Sequence, residues 1–123
     1  MKKLVLAAIL ATAPALAQAD DVFGLWQSEP GETGGYIKVD IHACGDKICG
    51  TIKEVVGNDD KSAEGKPIIK NMSAKGNGKY SGGTIWAPDV DKTYKSKMTL
   101  NGSNLKVEGC VAIICRGQTW KRI

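Results

Sequence analysis

The 123-residue chain has one histidine and one phenylalanine, and its charge is nearly balanced. No apolar run after residue 19 approaches the about 20 residues that a membrane-spanning helix needs. Nor does any segment there repeat apolar residues at i, i+3, i+4 and i+7, so amphipathic helices are excluded as the main building element. With His42 alone, a Ser-His-Asp triad has one way to form, and no Gly-x-Ser-x-Gly elbow accompanies it. A solvent-facing side chain is the expected role of His42, with ligand or general base as the alternative. No catalytic constellation stands out, and the chain is read as a non-enzyme with no cofactor and no metal.

What is present begins with an export pattern. Lys2 and Lys3 precede an unbroken apolar stretch from Leu4 to Ala11. Small residues then suit signal peptidase at Ala15-Leu16-Ala17 and again at Ala17-Gln18-Ala19. Residues 1–19 are therefore read as a signal peptide cleaved near Ala19. Residues 20–123 are read as one periplasmic or secreted domain without an integral membrane segment. Without Lys2 and Lys3, fifteen basic side chains face thirteen acidic ones, a net charge of +2. That balance gives neither a nucleic-acid footprint nor an affinity for anionic membranes.

Four cysteines, Cys44, Cys49, Cys110 and Cys115, fall in two Cys-x₄-Cys pairs. An oxidising destination and a small core favour two disulfides over a four-cysteine zinc site, whose usual spacing is shorter.

Period-two alternation recurs along the exported part, bounded by Gly, Asn, Asp and Pro clusters. A first strand runs over Val22 to Gln27. A second places Ile37, Val39 and Ile41 on one face and Lys38, Asp40 and His42 on the other. A turn at Gly45-Asp46-Lys47 leads to Ile48 through Lys53. A polar loop from Gly57 to Lys66 precedes Pro67-Ile68-Ile69. Lys79 to Trp86 forms another strand, with Gly82-Gly83 as a bulge or close-packing point. Pro88 to Asp91 reads as a turn. Thr93 to Leu100 sets Tyr94, Ser96, Met98 and Leu100 on one face, and Asn101-Gly102 signals a hairpin into Leu105-Lys106-Val107. The last strand runs from about Cys115 to Ile123. About eight short strands without intervening helices predict an all-β, antiparallel up-and-down barrel, which removes exposed sheet edges.

In such a barrel the first and last strands pair, so Gly24-Leu25-Trp26 and Trp120-Lys121-Arg122 could meet. An Arg122 guanidinium over the Trp26 indole would close one end, a contact worth roughly 0.5–2 kcal/mol. This arrangement resembles the Gly-x-Trp and C-terminal Arg device of calycins, the lipocalins and their relatives. A wider ordered set carries a second resemblance: Gly24-Leu25-Trp26, Cys44 to Gly50, Gly65-Lys66-Pro67-Ile68 and Gly82-Gly83-Thr84-Ile85. Lys92-Thr93-Tyr94, Gly109-Cys110 and Cys115 to Arg122 continue it. The set is similar to the secreted bacterial family known as domain of unknown function 2147. The resemblance implies an exported, cysteine-paired, calycin-like domain and supplies no functional residue.

Four cysteines allow three connectivities. With eight alternating strands, the turn between the second and third lies at one barrel end and that between the seventh and eighth at the other. Crossed disulfides would then exceed the ~7 Å Cα reach, so Cys44–Cys49 and Cys110–Cys115 are expected.

Two further clusters read as ordinary loops. Asn58-Asp59-Asp60-Lys61-Ser62-Ala63-Glu64 spaces oxygens as calcium loops do, yet Ala63 and Ile69 occupy the places of the required Gly and Glu. Asp89 and Asp91 read as a turn rather than a metal or glycosidase pair. Of the large aromatics, Trp86 and Tyr94 flank turns and are the candidates for a ligand mouth. The expected function is binding of a small apolar or amphipathic ligand in the cell envelope. The alternative is a protein-interaction or inhibitor module that acts on an envelope protein through its loops.

Overall fold

The computed structural model describes residues 20–123; the signal-peptide assignment to residues 1–19 lies outside the described residues. Eight strands follow one another: β1 (Gly24–Gln27), β2 (Tyr36–Cys44), β3 (Lys47–Val56) and β4 (Pro67–Gly76), then β5 (Lys79–Ala87), β6 (Lys92–Asn101), β7 (Asn104–Val111) and β8 (Ile114–Arg122). Each pairs antiparallel with its sequence neighbour, and β1 pairs with β8 to close the barrel. Closure leaves no free sheet edge, which a chain of this composition would otherwise have to protect.

Alternation explains the interior. Val39 and Ile41 on β2, Ile48 and Ile52 on β3, and Met98 on β6 are buried, as are Leu105 and Val107 on β7 and Trp120 on β8. Residues between them face outward, among them Lys38, whose ammonium lies 3.2 Å from Glu54 on the adjacent strand. His42 is on this outer side, its Nδ1 3.1 Å from the Asp40 carbonyl.

Several boundaries differ from the sequence reading for local reasons. Val22 and Phe23 precede β1 in a turn, closed by the Phe23 amide donating to the Asp20 carbonyl at 3.1 Å. Lys47 already belongs to β3. Asn101 pairs with Asn104, so the β6–β7 turn falls at Gly102-Ser103. β4 extends through the polar stretch after Ile69 because it is stitched between β3 and β5 despite register shifts on the β3 side. The polar loop after β3 spends its oxygens on its own backbone. Asn58 Oδ1 accepts from the Asp60 amide, Asp60 Oδ1 from the Ser62 amide, and Glu64 Oε2 from the Val55 amide.

The disulfides join Cys44 to Cys49 across the β2–β3 turn and Cys110 to Cys115 across the β7–β8 turn, as expected, with Cα separations of 5.8 and 4.0 Å. Each closes a short loop, for which chain entropy gives about 2 kcal/mol. Replacing both members of one pair by alanine is therefore expected to lower the urea midpoint modestly and leave the barrel folded. Loss of the far-ultraviolet β signal in either double variant would contradict this.

Candidate functional site

The two ends of the barrel are built differently. At the end carrying the β2–β3, β4–β5 and β6–β7 turns, the chain before β1 folds across the opening. Val22 and Trp26 are fully buried there, and the Trp26 Nε1 donates to the Val22 carbonyl at 2.9 Å. Trp26 and Arg122 are register partners of β1 and β8. The Arg122 guanidinium carbon stands 4.3 Å from the Trp26 ring centroid, which is cation–π geometry. Its Nη1 donates to the Phe23 carbonyl at 3.0 Å and its Nη2 to the Asp21 carbonyl. Gly24 makes room for this device. Its φ is +129°, and a methyl placed on it would meet Arg122 Nη1 at 3.1 Å.

Tyr80 completes the floor. Its hydroxyl donates to Asp20 Oδ1 at 2.6 Å, and the same oxygen accepts from the Val22 amide. Burial, then the hydrogen bond and charge of Asp20, push the phenol well above its ordinary value. A folded-state value raised above the unfolded one gives stability that is fully present below the unfolded value and is lost progressively as the pH rises towards the folded one. Stability is thus expected to fall above pH about 10, and Tyr80→Phe to flatten that fall. Equal pH slopes for the two proteins in alkaline urea titrations would contradict the assignment.

The opposite end is open. The segments 28–35, 57–66 and 88–91 and the tip of the β7–β8 hairpin surround a cavity of 1360 Å³ that reaches into the barrel. Ile37, Val55, Ile85, Val107 and Trp120 give it an apolar wall and floor, and Ile68 borders it. Gly109 contributes no side chain, and a methyl there would press on Ile85 and Tyr94 at 3.3 and 3.4 Å.

Both residues expected at a mouth border this opening, from different sides. Tyr94 shares the inward face of β6 with Ser96 and Met98, and pairs with Ile85. Trp86 alternates with Ile85 and stands at the rim. It also walls a shallow groove of 210 Å³ shared with Lys66, Pro67, Ile68, Lys70, Thr84 and Thr93. Its Nε1 donates to Asp91 Oδ1 at 2.9 Å, and Lys66 Nζ lies 5.8 Å from its ring centroid. Asp91 is thereby a brace for the indole.

The sequence reading missed the exposed polar residues of β8 that border the open cavity. Ile114, Arg116 and Gln118 share the strand face of buried Trp120, and all three line the cavity. Gln118 Oε1 accepts from the Trp120 Nε1 at 2.9 Å and from the Glu29 amide at 3.0 Å, tying the β1–β2 loop to the wall. Counting back by two from Trp120 would have found them. Among the described residues, no group of three His, Cys, Asp or Glu side chains gathers where it could hold a metal ion. Likewise, no helix there is long and apolar enough to cross a membrane.

Comparison with known proteins agrees with this architecture. Protein HP1028 from the human pathogen Helicobacter pylori, described as belonging to the lipocalin family, has a similar structure with a TM-score of 0.69. The two share 14% sequence identity over 85% of this chain and 84% of that one, a likeness of fold. No curated protein sequence matches the chain significantly. The profile of the bacterial family described as "Uncharacterized protein conserved in bacteria (DUF2147)" matches residues 24–122, nearly every residue of the barrel, and the chain belongs to that family.

Proposed function

We propose that this protein is an exported, non-enzymatic carrier that holds a small apolar or amphipathic ligand in its open-ended barrel within the cell envelope. One observation carries the reading. A cavity of 1360 Å³ with an apolar wall opens at the loop end, while Trp26 and Val22 seal the other end. Ligand sites are commonly concave, mostly apolar pockets of about 300–1,000 Å³ with a few placed polar groups; this cavity is larger because it includes its open mouth. The lipocalin-like fold and the paired cysteines support a binder working in an oxidising compartment.

The test is a titration of the 20–123 chain with the neutral fluorophore N-phenylnaphthylamine. Saturable binding of one molecule per chain is expected. Ile37→Trp, which crowds the apolar wall with a bulkier ring, is expected to weaken it by about tenfold or more, a loss of about 1.4 kcal/mol. Lys53→Trp on the outer wall should change nothing. No binding, or equal binding by all three proteins, would remove the reading.

A second reading rests on the β7–β8 hairpin tip. Val111, Ile113 and Ile114 are 63, 94 and 64% exposed there, clamped by Cys110–Cys115. Such an apolar tip suits a protein-interaction or inhibitor module. A crosslinked envelope partner that is lost with Ile113→Ser and kept with Ile37→Trp would favour this reading.

A further inference from the structure

The cavity-lining face of β8 carries one charge, at its exposed end near the open mouth. Arg116 lines the cavity between Ile114 and Gln118 on the face that ends in buried Trp120. It pairs with Gly109, so no side chain from β7 lies opposite it. The one salt bridge among the described residues joins Lys38 to Glu54 on the outer wall, which leaves Arg116 without a carboxylate partner. Tyr94 brings a phenol to the same cavity, next to Gly109.

Resting on the carrier reading above, we propose that Arg116 is a head-group subsite that selects an amphiphile ending in an oxyanion, a carboxylate or a phosphate. The guanidinium is a planar fork of donors that matches two oxygens of either group, and such charge-assisted pairs are the strong ones. Its position suits a head rather than a tail. Arg116 is four residues from Trp120, about 14 Å along an extended strand, so an acyl chain held at Arg116 points down the apolar wall.

Five carboxylates, Glu29, Glu32, Asp60, Asp89 and Asp91, and one other cation, Lys66, also border the opening, so the preference at Arg116 is a local one. The Glu29 carboxylate accepts from the Thr119 amide, Asp60 from the Ser62 amide and Asp91 from the Trp86 indole. Glu32 and Asp89 lie on the loops of the rim rather than on the strand wall.

Four probes with one tail separate the alternatives: dodecanoate, dodecyl phosphate, dodecyltrimethylammonium and dodecanol, each kept below its micelle concentration and titrated into the 20–123 chain. At least one anionic probe is expected to bind about ten- to a hundredfold more tightly than dodecanol. The stronger of the two tells a fatty acid from a phosphate ester. Arg116→Gln should erase that preference, weakening the anionic probes to the level of dodecanol. Arg116→Lys should restore only part of it, because the fork is lost. Dodecanol binding as tightly as both anions, or the cationic probe binding best, would overturn the subsite and leave the carrier reading standing. A preference that survives Arg116→Gln would likewise overturn it. Failure of all four probes to bind would overturn both.

Discussion

Replacing Trp26 by alanine is expected to lower the unfolding free energy by about 4 kcal/mol, the usual range for emptying a buried tryptophan site being about 3–5 kcal/mol. Three losses coincide. The indole is fully buried, its Nε1 holds the Val22 carbonyl, and its face carries the Arg122 guanidinium. Domains of this size have about 5–15 kcal/mol in total, so the variant should survive only at the margin. Trp26→Phe keeps a ring beneath Arg122 and loses the donor, and should fall between the two. Urea denaturation followed by far-ultraviolet circular dichroism measures all three proteins. A shift below about 1 kcal/mol for Trp26→Ala would mean that the floor is held by something else.

Gly83→Ala is the second large effect, and its cause is steric. A methyl on Gly83 would overlap the Lys70 carbonyl oxygen and stand 2.8 Å from the Met72 amide nitrogen. It would also stand 2.9 Å from the Asn71 carbonyl carbon. All three are backbone atoms of β4, which cannot turn aside as a side chain can. Asn71 holds a left-handed φ of 57° beside this contact, and the β5–β6 register shifts between Tyr80 and Gly83. The strands touch where the barrel wall bends. Relief requires parting β4 from β5, with a cost at the upper end of the about 1–3 kcal/mol of ordinary overpacking, or above it. Gly82→Ala is the matched control. A methyl there would meet nothing within 4 Å, although Gly82 has a φ of +87°, so strain is its only penalty. Gly83→Ala is expected to be the more damaging of the two, and the reverse order in thermal melts would contradict the packing account.

These two sites show what the sequence makes legible. Gly24-Leu25-Trp26 and Arg122 stand at opposite ends of the chain, and an up-and-down count of eight strands brings them together. Alternation at Ile37-Val39-Ile41 and at Tyr94-Ser96-Met98 identifies inward faces because one side of each strand meets water. The same logic fixes the disulfide pairing, since the β2–β3 and β7–β8 turns lie at opposite ends.

Other features leave no such trace. The latter half of β4 is polar, and Asn71 with its positive φ breaks the period, so Lys70 to Gly76 carries no strand pattern. Val22 is a floor residue held in a turn, which alternation from β1 does not reveal. Arg116 and Gln118 are polar and exposed on the cavity-lining face, because the space in front of them is open cavity rather than packed core. Whether a barrel is filled or hollow depends on the sizes of side chains from several strands at one level. Here Gly109 contributes no side chain at the level of Ile85 and Tyr94, while Val55, Val107 and Trp120 are buried and close the packed part below.

The hollow loop end is the central claim, and a crystal of the 20–123 chain soaked with a bromine-tailed dodecanol tests it most directly. The account predicts an anomalous bromine peak inside the barrel, among Ile37, Val55, Val107 and Trp120. An interior closed by Tyr94 and Arg116 with bromine only on the outer wall would contradict it.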